Sequence, residues 1–167
     1  YPKLMVITDG GMLPYPTIEQ KVMILNNGVE TLKRLGYQKP KVAVLAATEV
    51  VNPKMPESLD GGRLKEMYRR GEIKDCIVEG PISFDLMYSK ESAEVKGYES
   101  PVTGDTDILL VPTMATGNLL AKALLFAAKA KMAGIIVGAQ VPIVLVSRGA
   151  TAEEKYLSLL MAAAVSK

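Results

Sequence analysis

The 167-residue sequence has no histidine. That absence removes Ser-His-Asp and Cys-His catalysis and every histidine-containing metal site. Proton transfer is left to carboxylates, lysine, tyrosine, cysteine or the substrate itself. The single cysteine, Cys76, cannot form a disulfide within the chain, and with no export signal it fits a reducing, intracellular setting. Flanked by Asp75 and Ile77 inside an apolar run, it reads as a buried, inert thiol. No block of like charge is present: 20 Lys and Arg face 18 Asp and Glu, a net charge of +2. Without clustered basic residues a nucleic-acid partner is not expected. No apolar run reaches the roughly 18–20 residues of a membrane span. The nearest approach, Leu119–Ala133, is interrupted by lysines. Neither G-x-G-x-x-G nor G-x-x-x-x-G-K-[ST] occurs, which sets dinucleotide and P-loop chemistry aside.

What is present is one domain's worth of chain, 49% hydrophobic, in which strand and helix patterns alternate. Lys3–Thr8, Lys41–Ala47, Asp75–Val78, Asp107–Val111, Gly134–Ala139 and Pro142–Ser147 read as strands. Their runs lack polar alternation, as in strands covered on both faces. Thr17-Ile18-Glu19-Gln20 is a capping-box pattern, and Ile18, Val22, Leu25, Val29 and Leu32 form one helical face closed by Gly36. Further helices are predicted from about Leu59 to Arg70, over Ile82–Val95, from Gly117-Asn118 to Ala133, and over Ala152–Val165 behind a second capping box at Thr151. The helix ending at Ala133 is apolar on most sides and is expected to be largely buried. Tyr156, Leu157, Leu160 and Ala164 are expected to form the inner face of the last one. The fold class is α/β, a mainly parallel sheet with helices on both faces.

In such sheets ligands bind beyond the carboxyl ends of the strands. Thr8-Asp9-Gly10-Gly11, Glu49 and Asn52, Glu79-Gly80-Pro81, Thr113 to Asn118, and Ser147-Arg148 all follow apolar runs. Arg148, beside the Ser147 hydroxyl at the mouth of a buried strand, suits an anion such as phosphate; a solvated loop arginine is the alternative. Gly117, Asn118 and Lys122, one turn on, could present donors at a helix N-terminus, though Asn118 would also serve as a helix cap. Glu154 is a candidate base that would equally close its own capping box, and Asp9 a candidate acid that would equally hold its own turn.

Five motifs carry a family resemblance. VITDGGMLPYPTIEQK, KVAVLAATEVVNPKMPESLD, VEGPISFD, GDTDILLVPTMATGNLLAKAL and PIVLVSRG occur in this order. Together they resemble the phosphate acetyl/butyryltransferase family, the butyryltransferase branch more closely. The resemblance implies transfer of a short acyl group between coenzyme A and inorganic phosphate, without metal or redox cofactor, coenzyme A being a substrate. It implies acyl-CoA, phosphate and acyl phosphate as ligands, a homodimer, a cytoplasmic location and no nucleic-acid or membrane partner. It implies an isocitrate-dehydrogenase-like fold of two α/β domains around an active-site cleft.

Carried over by residue, the resemblance makes Ser147, Arg148 and Glu154 catalytic, and Asp9, Gly117, Asn118 and Lys122 substrate-binding. Glu154 stands where the acetyltransferase branch has an aspartate proposed as base. Residues 1–140 would be the second domain, and 141–167 a strand and helix returning to a first domain that this sequence does not contain. Beginning at Tyr1, almost directly in a strand, the chain reads as part of something longer and is expected to be inactive alone. A non-catalytic module that binds coenzyme A or acyl phosphate, or that only dimerises, is the alternative.

Overall fold

The computed structural model describes residues 1–166. Four short strands, β1 (Val6–Thr8), β2 (Lys41–Leu45), β3 (Ile77–Ile82) and β4 (Ile108–Leu110), form one wholly parallel sheet in the order β1-β4-β2-β3. Successive strand residues point to opposite faces, and the two faces bury different cores. Val42, Val44, Ile108 and Leu110 meet α1 (Ile18–Arg34) and α2 (Pro56–Arg69) through Leu25, Val29, Leu32 and Leu64. Ala43, Leu45, Leu109 and Val111 meet the opposite layer. That layer is α3 (Phe84–Tyr88), α4 (Lys90–Lys96) and α5 (Met114–Phe126), which contribute Leu86, Met87, Ala93 and Leu120. Fully buried leucines such as Leu25, Leu32 and Leu64 each contribute about 2 kcal/mol by removing apolar surface from water. Cys76 is fully buried, and burial pushes its thiol up to about 11. Among the described residues no helix is long and apolar enough to cross a membrane.

The first capping box forms as its pattern predicts. Gln20 N–H donates to Thr17 Oγ1 at 3.3 Å, and Thr17 N–H to Gln20 Oε1 at 2.8 Å. Glycine pairs inside helices normally weaken them, each by about 0.5–1 kcal/mol, and Gly61-Gly62 lies inside α2. Gly61 is needed sterically, and Gly62 makes room for a side chain. A Cβ at Gly61 would stand 2.8 Å from Pro81 Cα, and one at Gly62 would stand 2.6 Å from Val51 Cγ2. The helix thus approaches the end of β3 as closely as backbone allows.

Several elements depart from the sequence reading. β3 runs on to Ile82, and the helix expected over Ile82–Val95 is two. Ser89, extended at φ −120°, breaks it by accepting the Ser92 N–H as the N-cap of α4. α5 starts at Met114 and stops at Phe126, well short of Ala133. Lys129 turns left-handed (φ 55°), so that Ala130 N–H reaches Leu124 O at 3.0 Å and closes the helix end. Nor is α5 largely buried: of its residues only Gly117 is, and Leu119 and Phe126 are each more than two-thirds exposed.

The last two strands do not join the sheet. β5 (Ile135–Ile136) and β6 (Ile143–Val144) pair antiparallel as a separate hairpin, the geometry a short connection permits. The run Ile143–Ser147 is therefore half-exposed, with Leu145 60% accessible, and is not a buried strand. α6 (Ala152–Val165) has the predicted span but a different inner face. Ser158, Ala162 and Val165 are buried, whereas Tyr156, Leu160 and Ala164 are exposed and Leu157 is partly covered. α6 packs on the hairpin and on α1: Ser158 Oγ accepts Gly134 N–H at 2.9 Å, and Arg34 Nη1 donates to Val165 O at 2.9 Å.

At the amino ends of the strands a charge cluster ties three of them together. Lys3 Nζ lies 2.6 Å from Asp105 Oδ1 and 2.6 Å from Asp107 Oδ1, Lys41 pairs with Asp105, and Lys41 N–H donates to Asp107 Oδ2 at 2.7 Å. Hydrogen bonds from Lys3 and then Lys41 hold the Asp105 carboxyl down at about 2. A carboxylate depressed in the folded state stabilises above its unfolded pKa of about 4 and loses that contribution as pH falls through its folded value. Acid titration followed by circular dichroism should therefore show an unfolding limb between about pH 4 and pH 2 that is flatter in Asp105→Asn. Superimposable acid curves would show that the cluster does not govern acid stability.

Candidate functional site

The carboxyl end of β1 runs straight into Asp9. Its Oδ1 accepts the Gly11 and Met12 N–H groups at 2.8 and 2.9 Å, and its Oδ2 accepts Leu13 N–H at 2.8 Å. Asp9 therefore does what a turn aspartate does: its carboxylate holds the following loop closed. On this loop rests the first turn of α5. A Cβ at Gly117 would stand 2.9 Å from Gly10 Cα, 2.9 Å from Val111 Cγ2 and 3.0 Å from Asp9 O, so only glycine fits. Asn118 Nδ2 donates to Gly10 O at 3.3 Å. It does not cap the helix: the N-cap is Thr113, whose Oγ1 accepts Thr116 N–H at 3.3 Å and lies 3.0 Å from Thr116 Oγ1. Asn118 sits inside the first two turns and is free to bridge sideways.

Lys122 lies one turn further along α5, exposed. Its charge is the least of the influences on Glu154 at the start of α6, and no ion pair joins the two among the described residues. Glu154 closes the second capping box. Its Oε2 accepts Thr151 N–H at 2.6 Å, and its own N–H donates to Thr151 Oγ1 at 3.2 Å. The Thr151 N–H, then the Thr151 hydroxyl, and less strongly Lys122 hold this carboxyl below the usual glutamate value. Immediately before the cap, Ala150 N–H donates to Ser147 O at 3.0 Å and Gly149 N–H to Ser147 Oγ at 3.4 Å. This turn carries Arg148, which is exposed and forms no ion pair among the described residues.

The residues singled out in the sequence fall into two groups, one around the β1 end and one around the α6 cap. Asp9, Gly117 and Asn118 interlock, Glu154 feels the Lys122 charge, and Ser147-Arg148 stand in the turn that feeds the Glu154 helix. Because β6 is outside the parallel sheet, Arg148 stands in the turn before the capped helix and not at a fifth strand end of that sheet. A second polar node was visible only as Glu79. Its buried carboxylate pairs with Lys65 and accepts from Gly80 N–H at 3.0 Å and Ser100 Oγ at 3.2 Å. Burial, and then the Glu79 charge and hydrogen bond, push the Tyr98 hydroxyl pKa up. Lys65, Tyr98 and Ser100 carry no local pattern that would join them to Glu79, being 14 to 21 residues away.

Comparison with known proteins gives this arrangement its family. Residues 2–163 match the family described as phosphate acetyl/butaryl transferase. The chain is 47% identical over 163 residues to a phosphate acetyltransferase of Thermotoga maritima, covering 98% of this chain and 55% of that protein. It is 43% identical over 167 residues to a probable phosphate butyryltransferase of Bacillus subtilis, covering all of this chain and 56% of that protein. Among solved structures, a branched-chain phosphotransacylase from Enterococcus faecalis superposes with a TM-score of 0.86 at 40% identity, over 95% of this chain and 57% of the other. The chain belongs to the phosphate acetyl/butyryltransferase family. It spans about half the length of the relatives it matches.

The interlock of Gly10 with Gly117 is testable by thermal unfolding. Gly117→Ala must push backbone against backbone, a strain of about 1–3 kcal/mol, and should lower Tm by several degrees. Gly11→Ala, where a Cβ meets nothing within 4 Å, should leave Tm nearly unchanged. Equal melting of both variants would show that the two segments are not locked together.

Proposed function

We propose that this chain is the second α/β domain (residues 1–140) and C-terminal return element (141–167) of an enzyme that moves a short, butyryl-type acyl group between coenzyme A and inorganic phosphate. The observation that carries the reading is Arg148, exposed and without an ion pair among the described residues, next to Ser147 in the turn that leads into the Glu154 cap. In the transfer, the coenzyme A thiolate attacks the acyl-phosphate carbon, negative charge gathers on the carbonyl oxygen, and the carbon–oxygen bond to phosphate breaks. Arg148 and Ser147 stabilise the carbonyl oxygen and the departing phosphate, a role worth about 3–4 kcal/mol for one donor. Glu154 takes the thiol proton. Asp9, Gly117, Asn118 and Lys122 bind substrate, the first three by fixing the loop and helix end, Lys122 by its charge. No metal or cofactor takes part.

The exposed apolar side chains of the C-terminal third support a two-domain assembly. Leu119 and Phe126 of α5, Leu145 beyond β6, and Tyr156, Leu159 and Leu160 of α6 are all outward, and such surface is normally covered. We assign its cover to the other α/β half that the family resemblance implies, and so expect no turnover from the chain alone. The complete enzyme is proposed to be a cytoplasmic homodimer. A second reading is favoured by Glu154: a carboxylate held down by its own cap is a weaker base, which suits a non-catalytic module that binds coenzyme A or acyl phosphate.

The test is release of free thiol from butyryl-CoA and phosphate. It compares the chain alone with the chain fused behind the N-terminal half of the Bacillus subtilis relative. The fusion should turn over and the chain alone should not. In the fusion, Arg148→Ala should lower kcat by about 10²–10³, and Ser147→Ala by less. Glu154→Gln keeps the cap and removes the base; unchanged turnover would place the base elsewhere. A folded fusion that binds coenzyme A by calorimetry without releasing thiol would favour the second reading.

A further inference from the structure

Ser158 is fully buried within α6, and its hydroxyl is used twice. It donates to Glu154 O, four residues back, at 2.6 Å, and it accepts Gly134 N–H, 24 residues away, at 2.9 Å. A serine that bonds back to the carbonyl one turn earlier slightly destabilises its helix. The helix gains nothing from it; what the hydroxyl adds is the second bond, out of the helix to Gly134. Gly134 in turn lies against the hairpin's other strand. The pairing of Ile135 with Val144 continues outward, and a Cβ at Gly134 would stand 3.1 Å from Leu145 O.

The Ser158 bond therefore closes a ring. From Leu145 the chain runs through Ser147-Arg148 into the Thr151 cap and on through Glu154 to Ser158, which returns to Gly134 beside Leu145. Ser147, Arg148 and Glu154, the three side chains assigned above to the chemistry, all lie on this ring. Inside it the turn and the cap are braced locally, by Ala150 N–H on Ser147 O and by Thr151 N–H on Glu154 Oε2. Local bonds of that kind do not fix the angle at which the helix leaves the hairpin; closing the ring does. One other tie joins the same segments, the Lys131–Glu153 pair, whose side chains are 75% and 57% accessible. An exposed pair is screened by water and holds little. The Ser158 bond is shielded from water, where a hydrogen bond is stronger.

We propose that Ser158 is a positioning residue for the acyl transfer: by tying α6 to the hairpin it holds the Glu154 carboxylate at a fixed separation from the Ser147-Arg148 turn. Glu154 and Arg148 must act on one substrate, the first at the thiol proton and the second at the acyl oxygen, so the reaction senses their spacing. Ser158, being buried, touches no substrate itself. The inference rests on the acyl-transfer reading above and adds what keeps its two groups in register.

The experiment compares variants of the fusion, each assayed below its melting transition. Misplacing a reacting group by about 1 Å costs up to about 10²-fold in rate. Ser158→Ala should lower kcat by about tenfold or more, with KM for butyryl-CoA little changed. Val165→Ala removes a buried side chain from the same helix and should lower Tm at least as much, with kcat unchanged. In a Glu154→Gln background Ser158→Ala should cost nothing further, because the group it positions is gone. An unchanged kcat in Ser158→Ala, an equal loss in Val165→Ala, or a full additional loss on top of Glu154→Gln overturns the proposal and leaves acyl transfer standing. No transfer by the unsubstituted fusion overturns the functional reading and this one with it. In the 167-residue chain, hydrogen exchange at the Gly134 amide should be faster in Ser158→Ala than in the unsubstituted chain. An unchanged exchange rate would show that this bond does not close the ring.

Discussion

Insertion of β4 between β1 and β2 is the constraint on which the rest of the molecule depends. Its three residues hydrogen-bond both neighbours and bury side chains on both faces. Ile108 and Leu110 belong to the α1–α2 core, and Leu109 to the core beneath α3, α4 and α5. Had β4 added at an edge, β1 and β2 would be adjacent and the helices after the central strands would not diverge. The same insertion brings α5 over β1, which makes the Gly10–Gly117 contact necessary and sets the bearing of Asn118 and Lys122. Sheet order is thus converted into the placement of polar groups.

Legibility in the sequence followed the range of the interactions. Capping boxes at Thr17 and Thr151 need four consecutive residues and were read correctly, as were the apolar runs of β2 and β4. The parallel α/β class followed from alternation alone. Ends were misjudged where a single residue left its expected backbone region, as at Ser89 and Lys129. The final strands were misplaced because an apolar run says that a segment is strand-like and nothing about its partner. Large residues predict the inner face of α6, but Ser158, Ala162 and Val165 are the ones buried, Ser158 against Gly134.

For the site, individual positions were legible and their linkage was not. Asp9, Asn118 and Glu154 each admitted two roles. For Asp9 and Glu154 the structure shows the local one, turn and cap; for Asn118 it shows a bridge to Gly10 across 108 residues. A local role and a chemical role are compatible in the same carboxylate, because the atoms that hold a backbone also fix where the charge stands. Cap and charge are coupled most directly at Glu154, whose depressed pKa has the Thr151 backbone as its first cause.

The division of α6 into a small-residue face and a large-residue face has a mechanical meaning. Ser158 is tied to Gly134 and Val165 to Arg34 of α1, while Tyr156, Leu159 and Leu160 point away. Adhesion grows with area removed from water, so this arm has more to gain by gripping something else than by gripping its own domain. Because the Ser147-Arg148 turn runs directly into the Thr151 cap, whatever covers the outer face of α6 lies on the same element that holds that turn.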